Sequence, residues 1–291
     1  MRYRPLGARG QIVSAVSLIL DPTEARRNAA EWVSLIYAAL ECGISGFEVR
    51  DLDTALAEGI GRAFAGVDRK LVFVAMRIHG RRGRPASMAE VGREVQQVLA
   101  ATRLGYLDAA LLGQRAGLKA GTLRELGGLK SADIVRGLGV TGSGESVDAL
   151  VADGALDVLS TSYSLLSGWA ERRLIRDAVA SDMAVLGHGF HPHDALTPLV
   201  GRQPKDRANP LAGIGGYGFL DEARDWTAEE LCLAYALTEP ALATVLVEAS
   251  STDHLERMAA VADRDLPSGV AAQIEMARFS FLGEEEALRS A

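Results

Sequence analysis

The sequence predicts an α/β protein built as one (β/α)8 barrel, and three observations carry that prediction. Eight short apolar runs recur along the 291 residues, starting near positions 15, 46, 72, 107, 134, 156, 183 and 243, and each but the last is followed by a helical pattern before the next. Runs of this kind are what a parallel sheet buries on both faces, and right-handed crossovers close eight of them into a barrel, for which this chain length is ordinary. Charged residues stand where the second and third runs stop, at Glu48, Asp53 and Arg77. That carboxyl edge is where barrels place their chemistry.

The clearest unit is Gly46 to Arg77: a strand over Gly46–Val49, a polar loop through Arg50 and Asp53, a helix from about Ala55 to Phe64, and a strand over Leu71–Met76. Before it, residues 3 to 13 read as a β-hairpin turning at Gly7–Gly10 and returning through Ile12 and Val13. Ala15–Leu20 is the first barrel strand, and after Asp21-Pro22-Thr23 an amphipathic helix runs to Cys42 and stops at Gly43. Ser87 with Glu90 forms a capping box for a helix ending near Thr102. Strands follow at Leu107–Leu112, Ile134–Val140, Leu156–Ser162 and Met183–His188, alternating with helices near Leu118–Lys130, Ser146–Ala152 and Ala170–Ser181. From Gly189 to Asp225 four prolines, with five glycines between Gly201 and Gly218, break the alternation, which predicts a long loop over the C-terminal face. Thr227 and Glu230 open a capped helix to about Thr238, Ala243–Val247 is the eighth strand, Thr252–Ala262 is a helix, and 267–291 is an extra helix and tail. All of this forms one domain, 1–291.

Hydrophobic residues make up 48% of the chain and aromatics only 5%, so the core is aliphatic and large enough to need no cross-links. The net charge of −7, with basic residues dispersed apart from Arg81, Arg82 and Arg84, leaves no nucleic-acid footprint. Cys42 and Cys232 lie in helical patterns among apolar neighbours and read as buried and reduced. With no apolar run near membrane-span length and no signal-peptide core at Met1-Arg2-Tyr3-Arg4, the expected location is the cytoplasm. His188, His191 and His193 with Asp194 lack a fixed metal-ligand spacing, because Pro192 and a loop setting intervene.

Tyr3-Arg4-Pro5-Leu6-Gly7 with Val13-Ser14-Ala15, and Gly43-Ile44 through Phe47, then Glu58 with Gly61-Arg62-Ala63, resemble respectively the opening and the second strand and helix of the aldo-keto reductases. The likeness continues through Leu104-Gly105 with Leu107–Leu112, Gly139-Val140-Thr141-Gly142, Ser160 through Leu166, and Val247-Glu248-Ala249-Ser250-Ser251 with Leu255. It covers roughly residues 3 to 262 and implies a TIM barrel with an N-terminal β-hairpin and a nicotinamide cofactor.

The family's catalytic tetrad is Tyr, Lys, Asp and His, and alignment places Asp53, Arg77, Glu48 and Gly113 at those positions. None of the four is retained. Carbonyl reduction needs a proton donor beside the nascent alkoxide, and a carboxylate, ionised at neutral pH, repels that developing charge instead. Glu48, Asp53 and Arg77 therefore read as an ion-pair cluster filling a former active site; the alternatives are an atypical NADH-dependent oxidoreductase, or a lyase or isomerase using these three residues.

On the cofactor side, the resemblance assigns Thr141, Gly142 and Ser160 to the nicotinamide amide, His188 and Gly189 to the face of its ring, and Glu248, Ala249, Ser250, Ser251, His254 and Met258 to the adenosine end. Glu248 stands where the resembled enzymes have Gly or a Lys that grips a 2′-phosphate, which favours NAD(H) over NADP(H), because a carboxylate repels that phosphate and accepts a hydrogen bond from a free ribose hydroxyl. Among aldo-keto-reductase-like chains lacking the tetrad, this one resembles the KidO-type NADH-binding regulators. That resemblance implies action on the bacterial division GTPase FtsZ and on a cell-fate histidine kinase. The acidic end at Glu284-Glu285-Glu286 is an expected handle for a protease or adaptor, and the loop from His191 to Asp225 or the tail from Pro267 is expected to carry partner contacts.

Overall fold

The computed structural model describes residues 1–7, 10–23, 27–78, 88–113, 127–165, 167–190 and 225–276. The centre of the hairpin turn, the cap at Ser87, the arginines at 81–84, most of the helix expected over 118–130, the loop over 191–224 and the tail from 277 lie outside the described residues.

Strands β1 (Tyr3–Pro5) and β2 (Ile12–Ser14) form the antiparallel hairpin, with Tyr3 opposite Ser14. The barrel strands are β3 (Val16–Leu20), β4 (Gly46–Val49), β5 (Phe73–Ile78), β6 (Ala109–Gly113), β7 (Leu138–Thr141), β8 (Val158–Ser162), β9 (Ala184–His188) and β10 (Thr244–Val247). They pair in parallel in chain order, and β10 closes the ring on β3. Helices with both ends among the described residues include α1 (Ala29–Glu41), α2 (Thr54–Phe64), α3 (Met88–Thr102), α4 (Glu145–Asp153), α5 (Trp169–Ala180), α6 (Ala228–Leu237) and α7 (Thr252–Val261).

Several strands begin later than the apolar runs predict: β5 starts at Phe73 after a 3-10 turn over Arg69–Leu71, and β7 starts at Leu138 rather than Ile134. Val72 and Val135 are buried ahead of the hydrogen-bonded ladder while Leu71 is exposed, so an apolar run overstates its strand. Helix α1 is capped at Asn28: Asn28 Oδ1 accepts from Glu31 N at 3.0 Å, and Glu31 Oε2 accepts from Asn28 N at 2.7 Å. It buries Trp32, Leu35, Ile36 and Ala39 and ends before Gly43, whose φ of +80° suits a residue without Cβ. Cys232 is buried, whereas Cys42 is only half-buried.

Strand alternation sorts the core into two layers. Val16, Leu18, Leu20, Phe47, Val49, Val74 and Met76 pack outward against the helices. Ile19, Phe73, Ala75, Ala109, Leu111, Val158, Ala184, Leu186 and Leu246 fill the barrel, plugged at the hairpin end by Leu6 and Val13. Close approach decides one inward position: a Cβ on Gly46 would lie 2.0 Å from Ser17 Oγ. The same inward parity, carried to the carboxyl ends, takes in Glu48, Arg77, Gly113, Thr141, Ser160 and His188 and, one residue past β10, Glu248.

Candidate functional site at the barrel mouth

Glu48 is wholly buried, and its carboxylate is the hub of the site. Oε1 accepts from Arg77 Nε at 2.7 Å, and Oε2 accepts from Ser160 Oγ at 3.1 Å across the barrel. Arg50 Nε lies 3.5 Å from Oε1. A charge in so dry a place persists only when paired and hydrogen-bonded, and here both conditions are met.

Of the three charged residues singled out from the sequence, Glu48 and Arg77 meet, while Asp53 is directed elsewhere. It is the N-cap of α2, accepting from Leu56 N at 2.7 Å, and it is exposed. Its position just past the carboxyl end of β4 made it look like a site residue; its local role is to satisfy a donor that a helix start leaves orphaned.

Arg50 links the two halves of the mouth, a role that no motif or periodicity assigns to it. It follows β4 directly, its N–H donates to Leu20 O at 3.0 Å, and its guanidinium also pairs with Glu248, so it crosses the end of β3 to the loop after β10. Arg27, equally unforeseen, donates from Nη2 to the carbonyls of Ala249 at 3.0 Å and Ser250 at 2.7 Å. Its guanidinium lies over the Trp32 ring, 5.4 Å from the centroid. Both contacts join residues some two hundred positions apart, which periodicity and local motifs do not encode.

On the opposite arc, Thr141 ends β7 half-buried and Gly142, with φ of +123°, donates its N–H to Ser160 O at 2.9 Å. His188 ends β9 opposite Ser162, with Gly189 following in the left-handed region at φ of +64°. Burial, reinforced by the positive charges of Arg77 and Arg50, pushes the His188 imidazole down to about 3, so it is neutral at pH 7. At Gly113 a Cβ would fit without a clash, in ordinary contact with Ile78 O at 3.9 Å.

At the other end, Ser251 caps α7, accepting from His254 N at 3.1 Å. His254 Nδ1 lies 3.3 Å from Ser250 N and 3.2 Å from Ser250 Oγ, and Nε2 lies 3.1 Å from Glu229 Oε2. Ala249 is half-buried against the core, and Met258 is buried within it. Among the described residues no group of His, Cys, Asp and Glu could hold a metal, and no helix is long and apolar enough to cross a membrane. His191, His193 and Asp194 lie outside the described residues.

The donor set suits a polar ring with an anionic tail. Arg77 Nη2 and His188 Nε2 are buried without a protein hydrogen-bond partner among the described residues. A nicotinamide with its carboxamide supplies polar partners for such nitrogens, and Thr141, Gly142 and Ser160 would border it. The segment Glu248–Ser251, at the start of α7 and flanked by Arg27 and Arg50, would take the phosphate-bearing end.

The aldo/keto reductase family model matches residues 22–278, and the chain belongs to that family. No protein of curated function matches the sequence significantly. Among solved structures, the aldo-keto reductase AKR11C1 from Bacillus halodurans, in its holo form, is 20% identical with a TM-score of 0.73, covering 95% of this chain and 96% of its own. An aldo-keto reductase from Klebsiella pneumoniae in complex with NADPH is 19% identical with a TM-score of 0.72, covering 95% of both chains. At such identities the likeness is one of fold, and this chain's chemistry rests on its own residues.

Proposed function

We propose that this chain binds NAD(H) at the barrel mouth without reducing carbonyls and acts as a regulator through protein partners. The observation that carries the reading is the commitment of the mouth's carboxylates. Glu48 is buried and held by Arg77 and Ser160, and Asp53 caps a helix, so neither presents a proton to a substrate carbonyl. Gly113 offers no side chain in place of an imidazole. What remains is a site with donors and cationic groups for a dinucleotide, and at its tetrad-equivalent positions no phenol, lysine or histidine for hydride-coupled proton transfer.

The cofactor half of the reading is supported by family membership, by the NADPH bound in the Klebsiella pneumoniae relative, and by the fit of the unpartnered nitrogens. The preference for NAD(H) is argued from Glu248, whose carboxylate disfavours a 2′-phosphate. The partner half is supported by the sequence resemblance to KidO-type regulators, which points to the bacterial division GTPase FtsZ and a cell-fate histidine kinase, in the cytoplasm. Calorimetric titration of the purified chain with NADH, NAD and NADPH tests the cofactor half, with NADH binding expected to be tighter than NADPH. Absence of any dinucleotide binding would sink it. The partner half is tested by measuring FtsZ binding with and without NADH, and by removing residues 283–291, which is expected to leave NADH affinity intact.

A further inference from the structure

We propose that Arg50 is a movable clamp for the cofactor's diphosphate: its guanidinium, which spans from Glu48 to Glu248, exchanges Glu248 for the diphosphate when the dinucleotide binds. The inference rests on the NAD(H)-binding reading above and adds a residue and a rearrangement to it.

Position is the first argument. Strand β3 lies between β4 and β10, and Arg50, anchored by its backbone to the end of β3, reaches over that end from Glu48 to Glu248. Its charge is also felt at His188, on the opposite arc. Through Glu48, which Ser160 also contacts, Arg50 thus connects a residue that would border the nicotinamide to the segment that would take the adenosine end. In a dinucleotide the diphosphate is the link between those two ends. Bound with its ends in these places, it brings its negative charges to the guanidinium.

The second argument is which partner yields. Glu48 is wholly buried and additionally held by Arg77 and Ser160, so releasing it would leave a desolvated carboxylate short of partners. Glu248 is 53% exposed at its side chain and can turn into water at little cost. A diphosphate beside Glu248 repels it, while guanidinium–phosphate pairs are short, charge-assisted and geometrically favoured. Arg27 is not equivalent, because its contacts with the Ala249 and Ser250 carbonyls and with Trp32 make it a brace for the loop. The exchange has a consequence for selectivity: once Arg50 leaves, Glu248 is no longer neutralised and can discriminate against a 2′-phosphate.

The test is titration of the full chain with NADH by calorimetry, and with inorganic pyrophosphate by thermal shift, for the parent, Arg50→Gln, Arg50→Lys and Glu248→Gln. Loss of one charge-assisted contact predicts NADH binding about ten- to a hundredfold weaker in Arg50→Gln, with a shallower dependence on salt. Arg50→Lys should retain part of the affinity. Pyrophosphate should stabilise Glu248→Gln more than the parent, because the competing carboxylate is gone, and should not stabilise Arg50→Gln. A folded Arg50→Gln that binds NADH like the parent overturns the clamp alone. If Arg50→Gln fails to fold, the Glu248→Gln comparison decides, and an equal or smaller pyrophosphate shift overturns it. A parent that binds no NADH overturns both the clamp and the cofactor reading.

Discussion

Glu48→Gln keeps the shape of the hub and removes its charge. In the parent, Arg77 Nε and Ser160 Oγ both donate to a carboxylate with no solvent exposure, and Arg50 stands close by. Breaking a buried ion pair by removing one partner costs about 3–5 kcal/mol, because the surviving charge is stranded. Arg77 keeps 19% of its side chain exposed, so water relieves part of that strain, and about 2–4 kcal/mol is the expected loss. At about 2–4 °C per kcal/mol for a chain somewhat smaller than this one, Tm should drop by roughly 5–15 °C. Thermal unfolding followed by circular dichroism measures it, and the drop should change little with added salt, since a buried pair is weakly screened. Replacing both partners, Glu48→Leu with Arg77→Leu, should recover most of the loss. A Glu48→Gln variant melting within about 2 °C of the parent would refute the assignment of Glu48 as a structural hub.

Three further outcomes follow from the same geometry. Asp53→Ala should cost about 1 kcal/mol in urea unfolding and Asp53→Asn almost nothing, since an amide oxygen also caps; equal costs would mean that the cap is not what Asp53 supplies. Glu248→Lys should narrow or reverse the preference for NADH over NADPH by about 1 kcal/mol or more in competitive titration, and equal affinities in the parent would remove the argument. His188, held down to about 3, stays neutral where the unfolded chain's imidazole takes up a proton. The unfolded state therefore binds more protons between about pH 6.5 and that value, so stability contributed by His188 is lost as pH falls through this window. His188→Phe should have a shallower decline in urea-unfolding stability on acidification, and an unchanged slope would count against a buried neutral imidazole.

The barrel was legible because its strands are buried on both faces and its helices on one, which leaves a pattern of short apolar runs and amphipathic stretches. Boundaries were less so: Leu71 and Val72 share the apolar character of the strand they precede, yet Leu71 ends a 3-10 turn. Strand ends brought Glu48 and Arg77 to one place, as the alternation implies. Asp53 sits on the same stretch, but a carboxylate four residues past a strand serves equally as a helix cap, and only the backbone conformation separates the two roles. Arg50 and Arg27 left no sequence signal, since their partners come from the far end of the chain.

The central claim is that the mouth binds a nicotinamide dinucleotide and lacks a proton donor for carbonyl reduction. The most direct measurement is NADH oxidation by purified protein with a panel of aldehydes and ketones, beside NADH binding measured on the same preparation. The account predicts binding with no oxidation above background, and no rescue by Asp53→Tyr alone, because Arg77 and Gly113 still stand where a lysine and a histidine would be needed. Steady oxidation of NADH by a carbonyl substrate that disappears in Asp53→Asn would contradict it.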